Sequence, residues 1–134
     1  MEKIPLFDKL PDNAEPYRTP IKLMETETYC CPDSLKVDLY LGCSFSCLYC
    51  FAMDWFLNMY HMWYRPSKPA DFSLVEKEFN NAFRGKSDSP LARALRDRQY
   101  IRLGSMTDSF QHIEKKHQLT KQFFELANKY DKYP

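Results

Sequence analysis

Apolar and polar positions alternate most cleanly in the first third of the chain. Leu35, Val37, Leu39 and Leu41 are separated by Lys36, Asp38 and Tyr40. A period of two puts alternate side chains on opposite faces of a strand, so a strand is expected over Ser34–Leu41. The pattern then changes. Residues 51–64 carry Phe, Met, Trp and Tyr on nearly every side, as a mostly buried helix does, and the prolines in Arg65-Pro66 and Lys68-Pro69 end it. Phe72, Val75, Phe79, Ala82 and Phe83 form a helical stripe, with Ser73 and Glu76 spaced as a capping box and Gly85 at the stop position. Ser89-Pro90 starts a further helix, with Leu91, Ala94 and Leu95 on one face. Gln99–Leu103 reads as a second strand closed by Gly104. Thr120 is placed to cap a last helix whose Phe123, Leu126, Ala127 and Tyr130 share a face.

Strand, loop, helices, strand, loop, helix is the alternation of an α/β fold built on a parallel sheet or barrel. Such folds carry their chemistry in the loops at the carboxyl ends of strands, here Gly42–Cys50 and Gly104–Gln111. If the four alternating aliphatic residues pack on helices, then Lys36, Asp38 and Tyr40 face the other way. Ile101 and Leu103 would likewise leave Tyr100 and Arg102 on that second face. A polar face of this kind is either a ligand-holding interior or a partly solvated strand surface. Residues 1–33 hold five of the nine prolines and are expected to form an extended approach to a single domain over residues 34–134.

Composition narrows the picture. A 44% hydrophobic, 28% charged chain is globular in composition rather than disordered. A formal net charge of +1 supplies no strong field toward nucleic acid or an acidic membrane. No leader pattern precedes the domain, and the apolar stretch at 51–64 is interrupted by Asp54, Asn58 and His61 and falls short of the ~20 residues of a membrane span. A cytoplasmic protein without a membrane partner is expected. The five cysteines all lie between residues 30 and 50, an odd number in one short stretch, which argues for metal chemistry over a disulfide framework.

Cys43, Cys47 and Cys50 are separated by three residues and then two, in Gly42-Cys43-Ser44-Phe45-Ser46-Cys47-Leu48-Tyr49-Cys50. A loop this tight can bring three thiolates, the soft ligands of iron–sulfur clusters, onto one inorganic core. Three cysteines on a four-iron cube leave one iron open to a substrate. The alternative is a zinc site completed by Cys30 or Cys31, although no second paired knuckle is present. Cys30 and Cys31 otherwise read as small hydrophobes.

This C-x3-C-x2-C stretch, with its preceding strand and an aromatic residue before the last cysteine, resembles the signature of the radical SAM enzymes. The resemblance implies a 4Fe-4S cluster on Cys43, Cys47 and Cys50, and S-adenosylmethionine bound at the open iron with Tyr49 against its adenine. It also implies reductive cleavage of that cofactor to a 5′-deoxyadenosyl radical. The implied fold is the N-terminal part of a partial (β/α)6 TIM-type barrel, of which this chain supplies two strand–helix units. A second chain completing the barrel and a reductant protein such as a flavodoxin or ferredoxin are the implied partners.

The second loop supports the same comparison. Gly104 allows close backbone approach at a strand end, and Ser105, Thr107 and Asp108 offer acceptors that suit an amino group. Radical SAM barrels hold the methionine amino group at this place, usually with Gly-Gly-Glu. Here the sequence is Gly104-Ser105-Met106-Thr107-Asp108. Thr107 to Glu114 resembles the T-D-P-Y-Q-P-x-E stretch of the spore photoproduct lyase-like group, with Ser109, Phe110 and His112 departing from it. That group adds lyase-like chemistry and a nucleic-acid substrate, for which the net charge gives no separate support. Read without the resemblance, Asp108 is a loop-capping carboxylate and Glu114 a surface charge. His61, His112 and His117 have no evident partner, and Lys115-Lys116-His117 is a solvated run. A non-catalytic iron–sulfur or zinc-binding fragment is the alternative to the enzyme.

Overall fold

The computed structural model describes residues 6–7, 16–23, 35–45, 47–60, 63–64 and 67–130. Expectations for Cys30, Cys31, Ser34, Arg65-Pro66 and the last four residues fall outside this set. The elements, in order, are β1 (Leu6–Phe7), β2 (Ile21–Leu23), β3 (Leu35–Val37), β4 (Tyr40–Leu41), α1 (Phe51–Tyr60), β5 (Trp63–Tyr64), β6 (Lys68–Pro69), α2 (Phe72–Phe83), α3 (Pro90–Arg96), β7 (Ile101–Leu103), α4 (Glu114–His117) and α5 (Leu119–Lys129). The architecture is mixed α/β, built on small sheets. No closed barrel is formed among the described residues.

The central sheet has the order β2-β3-β7. β3 and β7 run parallel, Leu35 opposite Ile101 and Val37 opposite Leu103, while β2 pairs antiparallel to β3. The approach segment is therefore extended where it is described, and it adds a strand with Ile21 in the core. The parallel pair sends the loops after Val37 and after Leu103 out of the same edge of the sheet, and the Gly104 N–H donates to Val37 O at 2.8 Å to lock the two exits together.

The expected single strand over Ser34–Leu41 is interrupted. The backbone leaves the sheet at Asp38-Leu39 and resumes as β4, which pairs with β6. The break shifts the parity of the residues beyond it. Leu35, Val37 and Leu39 are wholly buried as expected, but Tyr40 joins the same apolar core instead of sharing the opposite face with Lys36. The helix expected over 51–64 is Phe51–Tyr60, followed by β5, and among its described side chains Phe51 is 64% and Trp55 39% exposed while Ala52 is buried.

The later helices follow their patterns. On α2, Val75, Phe79 and Ala82 are buried against the sheet and α3, but the cap is Asp71, whose carboxylate accepts the Ser73 N–H at 3.2 Å, and not the Ser73–Glu76 box. Ser89 caps α3 through the Ala92 N–H at 3.1 Å, with Pro90 in the first turn. The stripe Phe123, Leu126, Ala127 and Tyr130 is buried on and just past α5. The expected Thr120 cap is replaced. The Glu114 carboxylate accepts the N–H groups of Thr120 and Lys121 at 3.0 and 3.2 Å, while the Thr120 hydroxyl donates to Ser109 O. Glu114 is thus a half-buried structural group, since four free N–H groups at a helix start attract a carboxylate more strongly than a hydroxyl.

Glu114 also accepts the hydroxyl of buried Tyr40. Burial first, then the adjacent carboxylate, pushes that phenol well above its ordinary value of 10.0. A proton held more tightly in the folded chain than in the unfolded one gives stability that is complete below the unfolded value and falls as pH rises past it. Folding stability therefore declines from about pH 10 upward on account of Tyr40. Tyr40→Phe should cost about 1–2 kcal/mol near neutrality by removing a hydrogen bond to a charged group. It should also flatten the alkaline decline. Urea unfolding of both proteins across the alkaline range measures this, and parallel pH profiles would contradict it.

Candidate metal and cofactor site

The two loops that share the sheet edge form one cavity of about 280 Å³. Cys43, Cys47 and Cys50 line one side together with Tyr49, and Ser105, Thr107 and Asp108 line the other. Seven of the eight residues singled out for this chemistry thus share one hollow; the eighth, Gly104, is the hinge from which the second wall springs. Just below the ~300–1,000 Å³ usual for ligand pockets, the cavity of about 280 Å³ is open on one side. Phe45, Phe51 and Met106 make its remaining walls apolar.

Each wall is positioned by its local sequence. Gly42 adopts φ 87° and Gly104 φ 73°, turns that non-glycine residues enter at a cost. The three thiols are free and half-buried. Cys50 sits at the start of α1, where its sulfur accepts the Met53 N–H at 3.3 Å and its own N–H donates to Cys47 O at 3.1 Å. Burial pushes the Cys43 thiol up, and the charges of Asp108 and Cys50 act in the same direction, while the backbone N–H groups of Phe45 and Asp108 pull it partly back. The surroundings of Cys43 therefore favour its neutral thiol, and a bound cation would displace the proton.

On the second wall, the Ser105 hydroxyl donates to Asp38 at 2.9 Å and the Thr107 hydroxyl to Gly42 O at 2.5 Å. Spending the hydrogen there leaves oxygen lone pairs as the remaining capacity, the right polarity for an ammonium group. The Asp108 carboxylate is exposed. One oxygen accepts the Phe110 N–H at 2.7 Å, the loop-capping contact, and the other carries no such bond among the described residues. Tyr49 stands at the rim, 89% exposed.

Two further residues hold the walls in register. Buried Asp38 accepts the Met106 N–H at 2.9 Å besides the Ser105 hydroxyl. Gln111 is 1% exposed and spans three segments. Its amide NH2 donates to Thr107 and to Asp108 O, and its carbonyl accepts the Ser67 hydroxyl and the Ser44 N–H of the cysteine loop at 3.3 Å. Neither residue reads as a ligand from the sequence, although Asp38 falls on the polar strand face and Gln111 in the second loop. The available signal for Asp38 is a carboxylate within an apolar strand; for Gln111 it is a fixed place four residues after Thr107.

Among the described residues no three His, Cys, Asp or Glu side chains converge on a point where one metal ion would sit. A zinc site requires such convergence, and Cys30 and Cys31, either of which would complete one here, lie outside the described residues. A four-iron cube attaches each cysteine to a different iron, so its ligands stand farther apart around a shared hollow. Three free thiols lining one cavity match that group in donor type.

Gly104→Ala should be among the more damaging changes at this site. An added methyl would lie 2.9 Å from Thr107 O and 2.8 Å from the Ser109 hydroxyl, at a positive φ. The αL penalty and overpacking together cost about 2–4 kcal/mol. A drop of that size in urea unfolding free energy is expected, and an unchanged midpoint would show that the loop relaxes freely.

A larger hollow of about 470 Å³ between Phe110, Lys121 and Phe124 contains none of the candidate ligands. No described helix is long and apolar enough to cross a membrane. Compared with protein families, with curated proteins and with solved structures, this chain finds no match in any of the three.

Proposed function

We propose that this chain holds a 4Fe-4S cluster through Cys43, Cys47 and Cys50 and binds S-adenosylmethionine against it, as a radical SAM protein whose sheet is the beginning of a partial (β/α)6 barrel. The observation that carries the reading is the single cavity walled by three free thiols on one side and by Ser105, Thr107 and Asp108 on the other. When bound, the cluster supplies an open iron and one electron for reductive cleavage of the cofactor to a 5′-deoxyadenosyl radical. The chain's own residues do the rest. The thiols give up their protons and fix the cluster. Ser105 and Thr107 receive the amino group through oxygen lone pairs, and Asp108 offsets its charge. Tyr49 at the rim gives the adenine a surface to stack on, and Phe45, Phe51 and Met106 give the cavity apolar lining. A flavodoxin- or ferredoxin-type reductant supplies the electron.

Anaerobic reconstitution with iron and sulfide tests this. About four irons and four sulfides per chain, a brown chromophore, and 5′-deoxyadenosine on adding S-adenosylmethionine and dithionite are expected. Colour without 5′-deoxyadenosine would reduce the protein to a cluster carrier. Stoichiometric zinc with no iron uptake would overturn the reading altogether.

A further inference from the structure

Cys47 and Cys50 are the two ends of a reverse turn. The Cys50 N–H donates to Cys47 O at 3.1 Å, with Leu48 and Tyr49 as the central residues. A turn closed in this way holds its first and fourth Cα atoms within ~7 Å of each other. Disulfides span Cα separations of about 4.4–6.8 Å, so the backbone already stands close to bridging distance. The far end of the turn is anchored as well. Cys50 O accepts the Asp54 N–H at 3.1 Å and its sulfur the Met53 N–H at 3.3 Å, which ties this residue to the first turn of α1. Both thiols are free and half-buried, and both line the same cavity, so their side chains face a common space. Leu48 and Tyr49 are exposed, which leaves the turn open to a small reagent.

We propose that Cys47 and Cys50 form a reversible disulfide in the cluster-free chain, and that this bond and a bound cluster exclude each other. The oxidant is a small-molecule disulfide of the glutathione type. One protein thiolate attacks it and releases a first glutathione, leaving a mixed disulfide. The second protein thiolate attacks the protein sulfur of that intermediate and expels the second glutathione. Two protein thiols thereby lose two electrons and two protons, and two glutathione thiols carry them away. Cys43 lies ahead of the turn, four residues before Cys47, and stays a thiol. One remaining thiol on the cavity wall does not hold a four-iron cube, so the oxidised chain is closed to iron until a thiol reductant reopens it. The gating role rests on the 4Fe-4S reading; the bond itself does not.

The test starts from the full chain without cluster, equilibrated anaerobically with glutathione disulfide and glutathione, then denatured, alkylated and digested. The peptide carrying Cys43, Cys47 and Cys50 should be lighter by two hydrogens and carry one alkyl group, on Cys43. Dithiothreitol should restore all three labels. Cys47→Ser and Cys50→Ser should each stop at the mixed disulfide. The equilibrium constant for the bond should be about tenfold higher in the folded chain than in urea, because the turn holds the two ends together. A bond from Cys47 or Cys50 to Cys43, Cys30 or Cys31, a native chain that stops at the mixed disulfide, or equal constants with and without urea overturns the proposal. Reconstitution reads the gate. From the oxidised chain the initial rate of cluster formation should be about tenfold lower than from the reduced one, and dithiothreitol should abolish the difference. Equal rates overturn the exclusion. A disulfide with no cluster on the reduced chain would leave the bond standing and remove both the gate and the cofactor reading. A cluster on a chain that refuses the disulfide would do the opposite.

Discussion

Replacing Cys47 by alanine should abolish the brown chromophore of the reconstituted protein, and Cys43→Ala and Cys50→Ala should do the same. Each thiol is one of three on a shared cavity wall, and among the described residues no further cysteine or histidine lines that cavity to take its place. A cube held by two thiolates loses its iron. The three substitutions should differ in what they do to the apoprotein. Cys43 lies deep enough for burial to raise its thiol, and exchanging it for a smaller side chain leaves a small void costing about 1 kcal/mol. Cys50 forfeits the N–H···S contact from Met53 at the start of α1. Iron content, visible absorption and urea midpoints measured together separate loss of cluster from loss of fold. A Cys47→Ala protein that keeps its full iron content would refute the ligand assignment.

Phe79→Ala should be the most damaging substitution away from the cavity. Phe79 is wholly buried, and its ring lies 5.8–6.2 Å from those of Tyr130, Phe83 and Phe123. It is where α2 meets α5, and the edge-on contact with Phe123 adds directional attraction to the buried area. Truncation costs about 3–5 kcal/mol, a large share of the ~5–15 kcal/mol that holds a domain together. Phe79→Leu, which keeps most of the volume, should cost less than half as much. Circular dichroism melts of the two variants would show this ranking, and equal melts would mean that the aromatic cluster is plastic.

Much of the fold is legible in the residues. The helical stripe from Phe72 to Phe83, the Ser89-Pro90 start and the buried face of α5 follow directly from periodicity and capping chemistry. So does the placing of the two loops at one sheet edge, because a strand on either side of an intervening helical stretch predicts a parallel pair. The features that pattern reading misplaces are those decided by tertiary partners. The break at Asp38-Leu39 coincides with hydrogen bonds from the Asp38 carboxylate to a loop far along the chain, which pattern reading does not see. The exposure of Phe51 at the cavity, and of Trp55 further along α1, contradicts their hydrophobicity, which is all that such reading sees. Glu114 passes for one more surface charge because its partners, Tyr40 and the start of α5, come from opposite sides of it in the sequence.

The pairing of β3 with β7 has a consequence for the order in which the molecule is made. The thiols leave the ribosome well before Gly104 and the loop after it, with α1, α2 and α3 between them. Until that later stretch emerges, the cysteine loop has only one bank of its cavity, and contacts so distant along the chain are slow to form. A nascent chain stalled before Leu103 should therefore expose all three sulfurs to alkylating reagents, and chains released beyond Gln111 should protect them.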